Sequence, residues 1–471
     1  MAEHFDLAII GSGSGNSLVT PDFDDKRVAI IEHGIFGGTC LNVGCIPTKM
    51  YVYAADVADT IRHSSRYGID AQIDKVRWMD IRDRIFGRID PISEGGKRYR
   101  IDEPNTEAFL GHATFTGPRQ LHVDLDDGGS ADLTADQVVI AAGSHASIPD
   151  VIADSGVPFH TSDTVMRIDQ LPEHLVIVGG GFISAEFAHV FSALGSKVTI
   201  VARSPMLLRH LDRTIARAFT DVAQQSWDVH LNAQLAQVSG DASEVRIGLG
   251  DGTEVTGDLL LVATGRVAST QHLGADRAGV DLHPDGRVKV DEFGRTSAEG
   301  IWALGDVSSD YQLKHVANAE ARCVAHNLVH PEDLHAHDER FVPSAVFTHP
   351  QIATVGATEE ELAADGRPFA TYVQKFGDTA YGWAMEDETS ICKVIADPQT
   401  KLLLGAHLMG PQASNLIQPL VQALTHGQTV DDIARGQFWI HPALSEVVEN
   451  ALLGLNLNPP EDITDLPVEE I

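Results

Sequence analysis

The sequence predicts an α/β protein with two similar strand–turn–helix units and an α+β domain after them. Residues 7–16 read LAIIGSGSGN, and residues 175–184 read LVIVGGGFIS. In each segment a short apolar strand enters a glycine turn, and a second apolar strand follows at residues 28–31 and 197–201. This order is typical of a dinucleotide-binding βαβ unit, and finding it twice is a stronger indication than one glycine motif. From about residue 341 onward, the pattern of strands and helices contains no such turn.

The first glycine turn contains Gly11, Gly13 and Gly15, whose backbone N–H groups would face a pyrophosphate. Asn16 stands where the motif has its third glycine, and Pro21 and three aspartates follow within the next residues. Because proline interrupts a helix, we predict a shortened helix or a loop there.

The second strand of this unit ends in Glu32, about 20 positions after Gly11. A carboxylate at this point can accept hydrogen bonds from a ribose diol, and it repels a 2′-phosphate. The first unit therefore fits FAD. The alternative is a solvated glutamate at the end of a strand.

Two cysteines, Cys40 and Cys45, lie in the segment 37–49, GGTCLNVGCIPTK. Their spacing can place both sulfur atoms on one side of a helix's first turn, where the helix dipole favours a thiolate. We predict a thiol pair that opens and closes a disulfide. A half-formed zinc site or two buried thiols are the alternatives. Zinc usually needs a second Cys or His pair, and the other cysteines, Cys323 and Cys392, are isolated.

In the second unit, the segment 201–209 contains Arg203 and Arg209 but no carboxylate. Guanidinium groups suit a 2′-phosphate, so this unit is predicted to bind NADPH rather than NADH. Two solvated arginines are the alternative.

Near the C-terminus, His441 precedes Pro442, and Glu446 follows in the next turn of chain. A carboxylate at this spacing can fix the imidazole tautomer and raise its basicity. The pattern predicts a proton-handling pair.

The chain has 471 residues, enough for about three domains. Its 34 basic and 67 acidic residues give a net charge of −33, which disfavours a nucleic-acid partner. Sparse cysteines, no apolar run of membrane-spanning length and no signal peptide predict a soluble cytoplasmic protein without a membrane partner. The last dozen residues, rich in Pro, Asp and Glu, are predicted to be a surface tail.

The cysteine segment, the two glycine turns and the C-terminal His–Glu pair resemble the flavoprotein disulfide reductases, the family of glutathione reductase, dihydrolipoamide dehydrogenase and mercuric reductase. The resemblance covers nearly the whole chain. It implies a glutathione reductase-like α/β fold with two Rossmann-like dinucleotide-binding domains and a C-terminal α+β dimerisation domain. The implied domains are 1–150 for FAD, 151–270 for NADPH, 271–340 returning to the FAD domain, and 341–471 for dimerisation.

The resemblance also assigns cofactor positions. For FAD these are Gly11, Gly13, Gly15, Glu32, Thr39, Lys49, Gly143, Asp306 and, through the backbone, Lys314. For NADPH these are Gly179, Gly181, Ser184, Arg203, Arg209 and Gly265. Lys49 is implied to pair with Glu186 beside the flavin, where a cation stabilises negative charge on the reduced ring.

In the implied mechanism, electrons pass from NADPH through FAD to a Cys40–Cys45 disulfide. Cys45 becomes the thiolate beside the flavin, and Cys40 attacks a small-molecule disulfide through a mixed disulfide. His441, paired with Glu446, keeps Cys40 ionised and then protonates the leaving thiol. In the family this pair reaches the disulfide of the other subunit, so a homodimer is implied.

Within the family the chain most resembles the mycothione reductases, which reduce the disulfide of mycothiol, the sugar thiol of actinobacteria. The resemblance rests on residues 11–17, 45–50 and 441–452. The acidic stretch 17–25 disfavours glutathione disulfide, and the chain ends at 466–471 without the cysteine pair of mercuric reductases. The arginine pair argues against an NAD-dependent dihydrolipoamide dehydrogenase.

The alternatives are a dihydrolipoamide dehydrogenase or another reductase of low-molecular-weight disulfides. From another class, a flavin oxidase, a transhydrogenase or a non-catalytic flavin-binding protein remains in view.

Overall fold

The computed structural model describes residues 2–457. The predicted tail and the cysteine-free C-terminus lie outside the described residues. The chain divides into two compact units. The first contains the residues up to 179 together with 190–198 and 234–339, and the second contains 180–189, 199–233 and the residues from 340 onward.

Residues 2–457 contain twenty strands. They are β1 Glu3–Ile10, β2 Val28–Glu32, β3 Thr106–Gly117, β4 Gln120–Leu125, β5 Ser130–Ile140, β6 Ser144–Ala146, β7 His174–Val178, β8 Lys197–Val201, β9 Asp228–His230, β10 Leu235–Gly240, β11 Val245–Leu249, β12 Glu254–Gly257, β13 Leu259–Val262, β14 Arg266–Ala268, β15 Ile301–Ala303, β16 Ser344–Val346, β17 Ile352–Gly356, β18 Ala370–Lys375, β19 Ile391–Ala396 and β20 Leu403–Met409.

The same residues contain thirteen α-helices. They are α1 Gly38–Asn42, α2 Cys45–Arg62, α3 Trp78–Asp102, α4 Asp150–Ala153, α5 Phe182–Leu194, α6 Arg213–Ser226, α7 Lys314–Val329, α8 Glu359–Ala364, α9 Ala380–Ala384, α10 Ala413–Leu416, α11 Gln418–Thr425, α12 Val430–Arg435 and α13 Glu446–Gly454. Short 3₁₀ helices occur at Gly15–Leu18, Pro21–Phe23, Ser64–Tyr67, Val165–Arg167, Ala275–Ala278, Gly305–Val307 and Phe376–Asp378.

The largest sheet of the first unit is built around β1, which pairs in parallel with both β2 and β5. β3 extends the sheet beyond β2, and β15 pairs in parallel with β5 on the other side. β4 joins β3 and β5 through antiparallel pairing. Residues 301–303 therefore belong to this sheet.

Both faces of this sheet are buried, which explains why its strands are continuous apolar runs. Successive side chains of a strand point to opposite faces. Ala8 and Ile10 therefore pack into one core, while Leu7 and Ile9 pack into the other. Burying each large aliphatic side chain stabilises the fold by about 1.5–3 kcal/mol.

The expected shortening after the first glycine turn is confirmed. Two short 3₁₀ turns, Gly15–Leu18 and Pro21–Phe23, take the place of a long helix. Asn16, at the missing third glycine, is held by Arg100, whose Nε donates to the side-chain Oδ1 at 2.7 Å. The Arg100 Nη2 donates to the Asn16 carbonyl at 2.9 Å. The buried guanidinium thus satisfies the Asn16 carbonyl, which a regular helix would have satisfied internally.

Elements of the second nucleotide motif occur in both compact units. In the first unit β7 pairs in parallel with β13. In the second unit residues 199–201 of β8 pair in parallel with β9. Parallel pairing with crossover connections is the arrangement that the repeated βαβ pattern predicts.

The remaining part of the second unit is an antiparallel sheet in the order β16–β17–β20–β19–β18. Helices α10 to α13 contribute to the apolar core on which the sheet packs. The α+β character expected after residue 341 is therefore confirmed. Among residues 2–457, no helix combines the length and the apolar composition needed to cross a membrane.

Candidate active site

The two cysteines lie on consecutive helices. Cys40 belongs to the short helix α1, and Cys45 is the first residue of the 18-residue helix α2. The expectation that both sulfur atoms share one helix's first turn is therefore wrong, because the chain breaks at Val43 and Gly44 between the helices. Only Cys45 lies at the positive end of a long helix dipole.

The two thiols form a hydrogen bond that separates their acidities. Cys45 accepts from Cys40, and this contact is the largest effect that lowers the pKa of Cys45 to about 7. Burial opposes the shift, and the positive charge of Lys49 one helical turn away supports it. The same hydrogen bond, together with burial, raises the pKa of Cys40. Within one chain, Cys45 is therefore the thiol that ionises first.

A second lysine lies near this pair. Lys314, the first residue of α7, donates from Nζ to Ser14 Oγ at 2.8 Å, and its charge acts to lower the pKa of Cys40. The sequence predicted only a backbone approach at this position and not this side-chain contact. Ser14, a polar residue inside the glycine turn, is the sequence feature that could have indicated this contact.

The first glycine turn packs too closely against neighbouring backbone to admit side chains. Gly11 has φ +106°, and a Cβ there would lie 2.2 Å from the Ala141 carbonyl oxygen. A Cβ at Gly38 would lie 2.6 Å from the Gly13 Cα, so these two backbones pack face to face. Such close backbone approach is what a pyrophosphate cradle requires.

Glu32 lies beside the turn and organises it. Its Oε2 accepts from the Ser12 backbone N at 2.8 Å and from Ser12 Oγ at 2.6 Å, while Oε1 accepts from the Gly34 N at 2.7 Å. Ser12 Oγ in turn accepts from the Gly37 N at 2.9 Å. These contacts connect the first glycine turn to the segment before the cysteines. Ser12 is a residue that sequence reasoning missed.

Asn42 is another residue of the site that was not predicted from the sequence. Its buried side-chain Nδ2 donates to the carbonyls of Phe36 and Gly38 at 2.9 and 3.0 Å. Its Oδ1 is buried and has no hydrogen-bond partner among residues 2–457. Because an unsatisfied buried acceptor is costly, this atom fits a site that a polar cofactor completes.

The carboxyl ends of the parallel strands β1, β2, β5 and β15 lie at one edge of the sheet, where nucleotides bind in such folds. Gly143 and Asp306 follow β5 and β15 at this edge. Asp306 Oδ2 accepts from Ser144 Oγ at 2.7 Å, and the Gly305 N donates to the buried Glu320 at 2.6 Å. The residues present therefore fit a dinucleotide along this edge.

The positions expected to hold the second nucleotide are distributed over both units. In the first unit, Gly179 follows β7, and the Gly265 carbonyl accepts from Ser147 N at 2.9 Å. In the second unit, Gly181 precedes α5, and Ser184 on that helix is buried with an Oγ that has no hydrogen-bond partner in the part of the chain that the structure describes. An orphaned hydroxyl near a helix N-terminus fits a site for a phosphate-bearing ligand.

The two arginines expected to select NADPH are both exposed. Arg203 follows β8, and Arg209 follows Leu208, whose backbone N donates to the Gly180 carbonyl at 2.8 Å. This hydrogen bond fastens the arginine loop to the second glycine turn.

Glu186 and Lys49 lie in different units. Glu186 is buried and accepts from the Phe347 backbone N at 2.9 Å. The expected pairing of Glu186 with Lys49 stays a prediction. Thr39, another expected cofactor contact, is exposed in α1 beside Cys40.

The C-terminal histidine and glutamate are in direct contact. His441 Nδ1 lies 2.5 Å from Glu446 Oε1, and Glu446 Oε2 accepts from the Ala443 N at 3.2 Å. The carboxylate is 15% exposed and the imidazole 71% exposed. Glu446 starts α13 and is therefore fixed, so it sets the tautomer with hydrogen on Nδ1 and leaves Nε2 available.

The fold and this site define the class of protein. The chain belongs to the pyridine nucleotide-disulphide oxidoreductases, since the model of that family matches residues 5–321 and the model of its dimerisation domain matches residues 342–452. The chain is 57% identical to mycothione reductase of Mycobacterium tuberculosis, over 96% of this chain and 100% of that protein. It is 34% identical to a mercuric reductase of Streptomyces lividans, over 94% of each.

Among solved structures, a similar one is the HOCl-induced flavoprotein disulfide reductase RclA of Escherichia coli. Its TM-score is 0.82 at 28% identity, covering 95% of this chain and 99% of that chain. The expected fold and the expected class, a flavin- and pyridine-nucleotide-dependent disulfide oxidoreductase, are thereby confirmed.

Proposed function

We propose that this chain is an NADPH-dependent, FAD-containing reductase of mycothiol disulfide (mycothione) that works through Cys40 and Cys45. The observation that carries the disulfide chemistry is the hydrogen-bonded cysteine pair with the pKa of Cys45 lowered to about 7. The substrate is supported by 57% identity, over the whole relative, to a protein named mycothione reductase.

The proposed reaction takes place at the sulfur atoms of Cys40 and Cys45. FAD held along the edge that carries Gly143 and Asp306 would supply the electron pair, taken from NADPH, that opens the Cys40–Cys45 disulfide. Cys40, as thiolate, attacks one sulfur of the substrate disulfide, forming a mixed disulfide and releasing one thiol. Cys45 then attacks the Cys40 sulfur, which restores the protein disulfide and releases the second thiol. One substrate disulfide is thereby reduced to two thiols by two electrons and two protons.

His441 is the residue to which we assign proton transfer. Within one chain the pKa of Cys40 is raised, so a base must take its proton before attack. The exposed His441, oriented by Glu446, is suited to take that proton and return it to the leaving thiol.

We propose that the histidine reaches the cysteines of a second copy. The matched dimerisation domain supports a homodimer. The segment before the histidine carries strongly exposed apolar side chains, Phe438 and Ile440, which a partner subunit would cover. We further propose that 1–150 and 271–340 hold FAD, 151–270 holds NADPH, 341–471 forms the dimer, and the enzyme works in the cytoplasm, where thiols stay reduced.

The test is NADPH oxidation by the purified holoenzyme with mycothione, glutathione disulfide and lipoamide side by side. We expect kcat/KM to be highest for mycothione by at least tenfold. Equal or better turnover of either other disulfide would refute the substrate assignment. A Cys40→Ser enzyme should keep NADPH-driven flavin reduction and lose turnover of every disulfide.

A further inference from the structure

Helix α7 ends in a cluster of ligand-type side chains away from the cysteine pair. His326 lies in its last turn, and the chain after the helix brings Asp333 and His335 back beside it. The Asp333 Oδ2 lies 3.8 Å from His326 Nε2 and 3.7 Å from His335 Nε2. We propose that His326, Asp333 and His335 form a binding site for a borderline divalent cation of the Zn²⁺ type.

The segment after the helix is held by the helix itself. The buried Asn327 accepts from the His335 backbone N at 2.7 Å and donates from Nδ2 to the His335 carbonyl at 2.9 Å. Cys323, one turn earlier, donates from Sγ to the same carbonyl at 2.8 Å. The backbone of His335 is therefore positioned before any ion binds, which reduces the entropy lost on binding.

The donor set decides the class of ion. Two imidazole nitrogens and one carboxylate oxygen form a set that zinc uses with a water in the fourth position. Ligands about 2.0–2.1 Å from a tetrahedral zinc lie roughly 3.3 Å from one another. The distances of 3.7 and 3.8 Å therefore need to contract by only about half an ångström. Hard cations such as Mg²⁺ prefer oxygen ligands and are disfavoured here.

Binding requires two local adjustments. The rings of His326 and His335 are stacked, with centroids 3.6 Å apart, so one ring must turn to aim its lone pair at the ion. His335 is exposed and can turn. The His326 Nε2–H donates to the Asp333 carbonyl at 2.7 Å, so this proton must move to Nδ1 and the ring must turn away from the carbonyl before the Nε2 lone pair can face the ion. The exposed carboxylate of Asp333 supplies negative charge that offsets part of the positive charge of the bound cation.

The test measures zinc binding to tag-free, oxidised holoenzyme, in which the disulfide removes Cys40 and Cys45 as competing ligands. Equilibrium dialysis against micromolar zinc, followed by elemental analysis, should give one bound zinc per chain. His335→Ala and Asp333→Asn should each lower zinc affinity at least tenfold. His122→Ala is the matched control, because His122 contacts Asp124 and Asp132 at 3.4 and 2.7 Å but has no second histidine in that contact.

Thermal unfolding provides the second measurement. Zinc should raise the Tm of the wild type and of His122→Ala, since an ion that binds only the folded state stabilises it. The two site variants should match the wild type in chelator and show no rise with zinc. The proposal is overturned if the wild type binds no zinc at this concentration, or if His335→Ala and Asp333→Asn bind zinc as tightly as the wild type.

Discussion

Cys45 accepts a hydrogen bond from Cys40, and this contact is the main reason that the pKa of Cys45 is lowered to about 7. The same contact keeps the proton on Cys40. One hydrogen bond therefore gives two chemically identical side chains different roles, a resting thiolate and a thiol that needs a base.

Replacing the donor tests this relationship. In Cys40→Ala the pKa of Cys45 should rise by about one unit or more towards its ordinary value of 9.0, whereas Cys40→Ser retains a hydroxyl donor and should shift it less. The measurement is the pH dependence of iodoacetamide alkylation at Cys45 in the reduced enzyme. In the wild type the rate should rise with pH through about 7 as the thiolate forms. If the alkylation midpoint is unchanged in Cys40→Ala, groups other than Cys40 lower the pKa of Cys45.

Lys49 should contribute independently. Its positive charge helps to lower the pKa of Cys45, so Lys49→Met should raise the alkylation midpoint by roughly half to one unit. Lys49→Arg keeps the charge and serves as the control. If the methionine and arginine variants titrate alike, the charge of Lys49 has no part in stabilising the thiolate.

The His441–Glu446 contact should matter for turnover and not for reduction of the enzyme by NADPH. His441→Ala should lower disulfide turnover by about 100-fold to 10,000-fold, the range for losing a general acid–base group. Glu446→Gln should cost less, since it weakens orientation but leaves the imidazole. Glu449→Gln, on the same helix α13, is the control and should behave as wild type. The rate at which NADPH reduces the enzyme, measured by stopped flow, should be equal in all four proteins. If His441→Ala or Glu446→Gln lowered this rate in parallel with turnover, the pair would act in the reduction of the enzyme by NADPH and not in disulfide turnover alone.

The arginines after β8 should determine coenzyme preference. Losing a hydrogen bond to a charged group costs about 1.5–3 kcal/mol, so Arg203→Ala or Arg209→Ala should lower kcat/KM for NADPH roughly 10–100-fold. The value for NADH should stay the same. Arg213→Ala removes a nearby arginine whose Nε lies 3.6 Å from Glu360, and it should change neither value. Equal losses with both coenzymes would indicate a structural role, and a wild-type preference for NADH would refute the assignment of NADPH.

A buried ion pair should dominate the acid stability of the second unit. Lys393 Nζ donates to both oxygens of the buried Asp212, at 2.9 and 2.8 Å. Burial pushes the pKa of Asp212 up, but the Lys393 hydrogen bond and positive neighbours outweigh it, and the net pKa is lowered. Lys393→Met leaves a buried carboxylate without this partner and should destabilise the unit by about 3–5 kcal/mol at pH 7.

The pH dependence of that loss has a defined sign. A lowered pKa in the folded state stabilises the fold above the unfolded value of about 3.9, and this stabilisation disappears as the pH falls below it. The difference between Lys393→Met and wild type in the urea midpoint should therefore be large at pH 7 and small in acid. Lys375→Met, at an exposed lysine in β18, should change stability by no more than about 0.5 kcal/mol. If the difference in urea midpoint between Lys393→Met and wild type does not depend on pH, the ionisation of Asp212 is not its cause.

Patterns that are local in the sequence predicted most of the fold and the centre of the site. The apolar strands before Gly11 and Gly179, the broken helix at Pro21 and the pair Cys40 and Cys45 each depend on neighbouring residues only. The contact of His441 with Glu446 was predictable for the same reason, because one turn of chain separates them.

Long-range contacts were not predictable in this way. Arg100 donates to Asn16 across 84 positions of sequence, and Lys314 donates to Ser14 across 300 positions. No spacing rule joins such pairs, since they are brought together only when β1 and α7 take their places around one sheet.

The amino-acid sequence by itself determined the class of this protein, its parallel-sheet architecture and the residue types of its redox chemistry, because those depend on hydrophobic periodicity, glycine turns and short spacings. Only the tertiary structure showed the hydrogen bond that lowers the pKa of Cys45, and the buried atoms Asn42 Oδ1 and Ser184 Oγ that have no hydrogen-bond partner among residues 2–457. The physical reason is that acidity and hydrogen-bond satisfaction depend on burial and on the direction of neighbouring donors, which are properties of the folded arrangement.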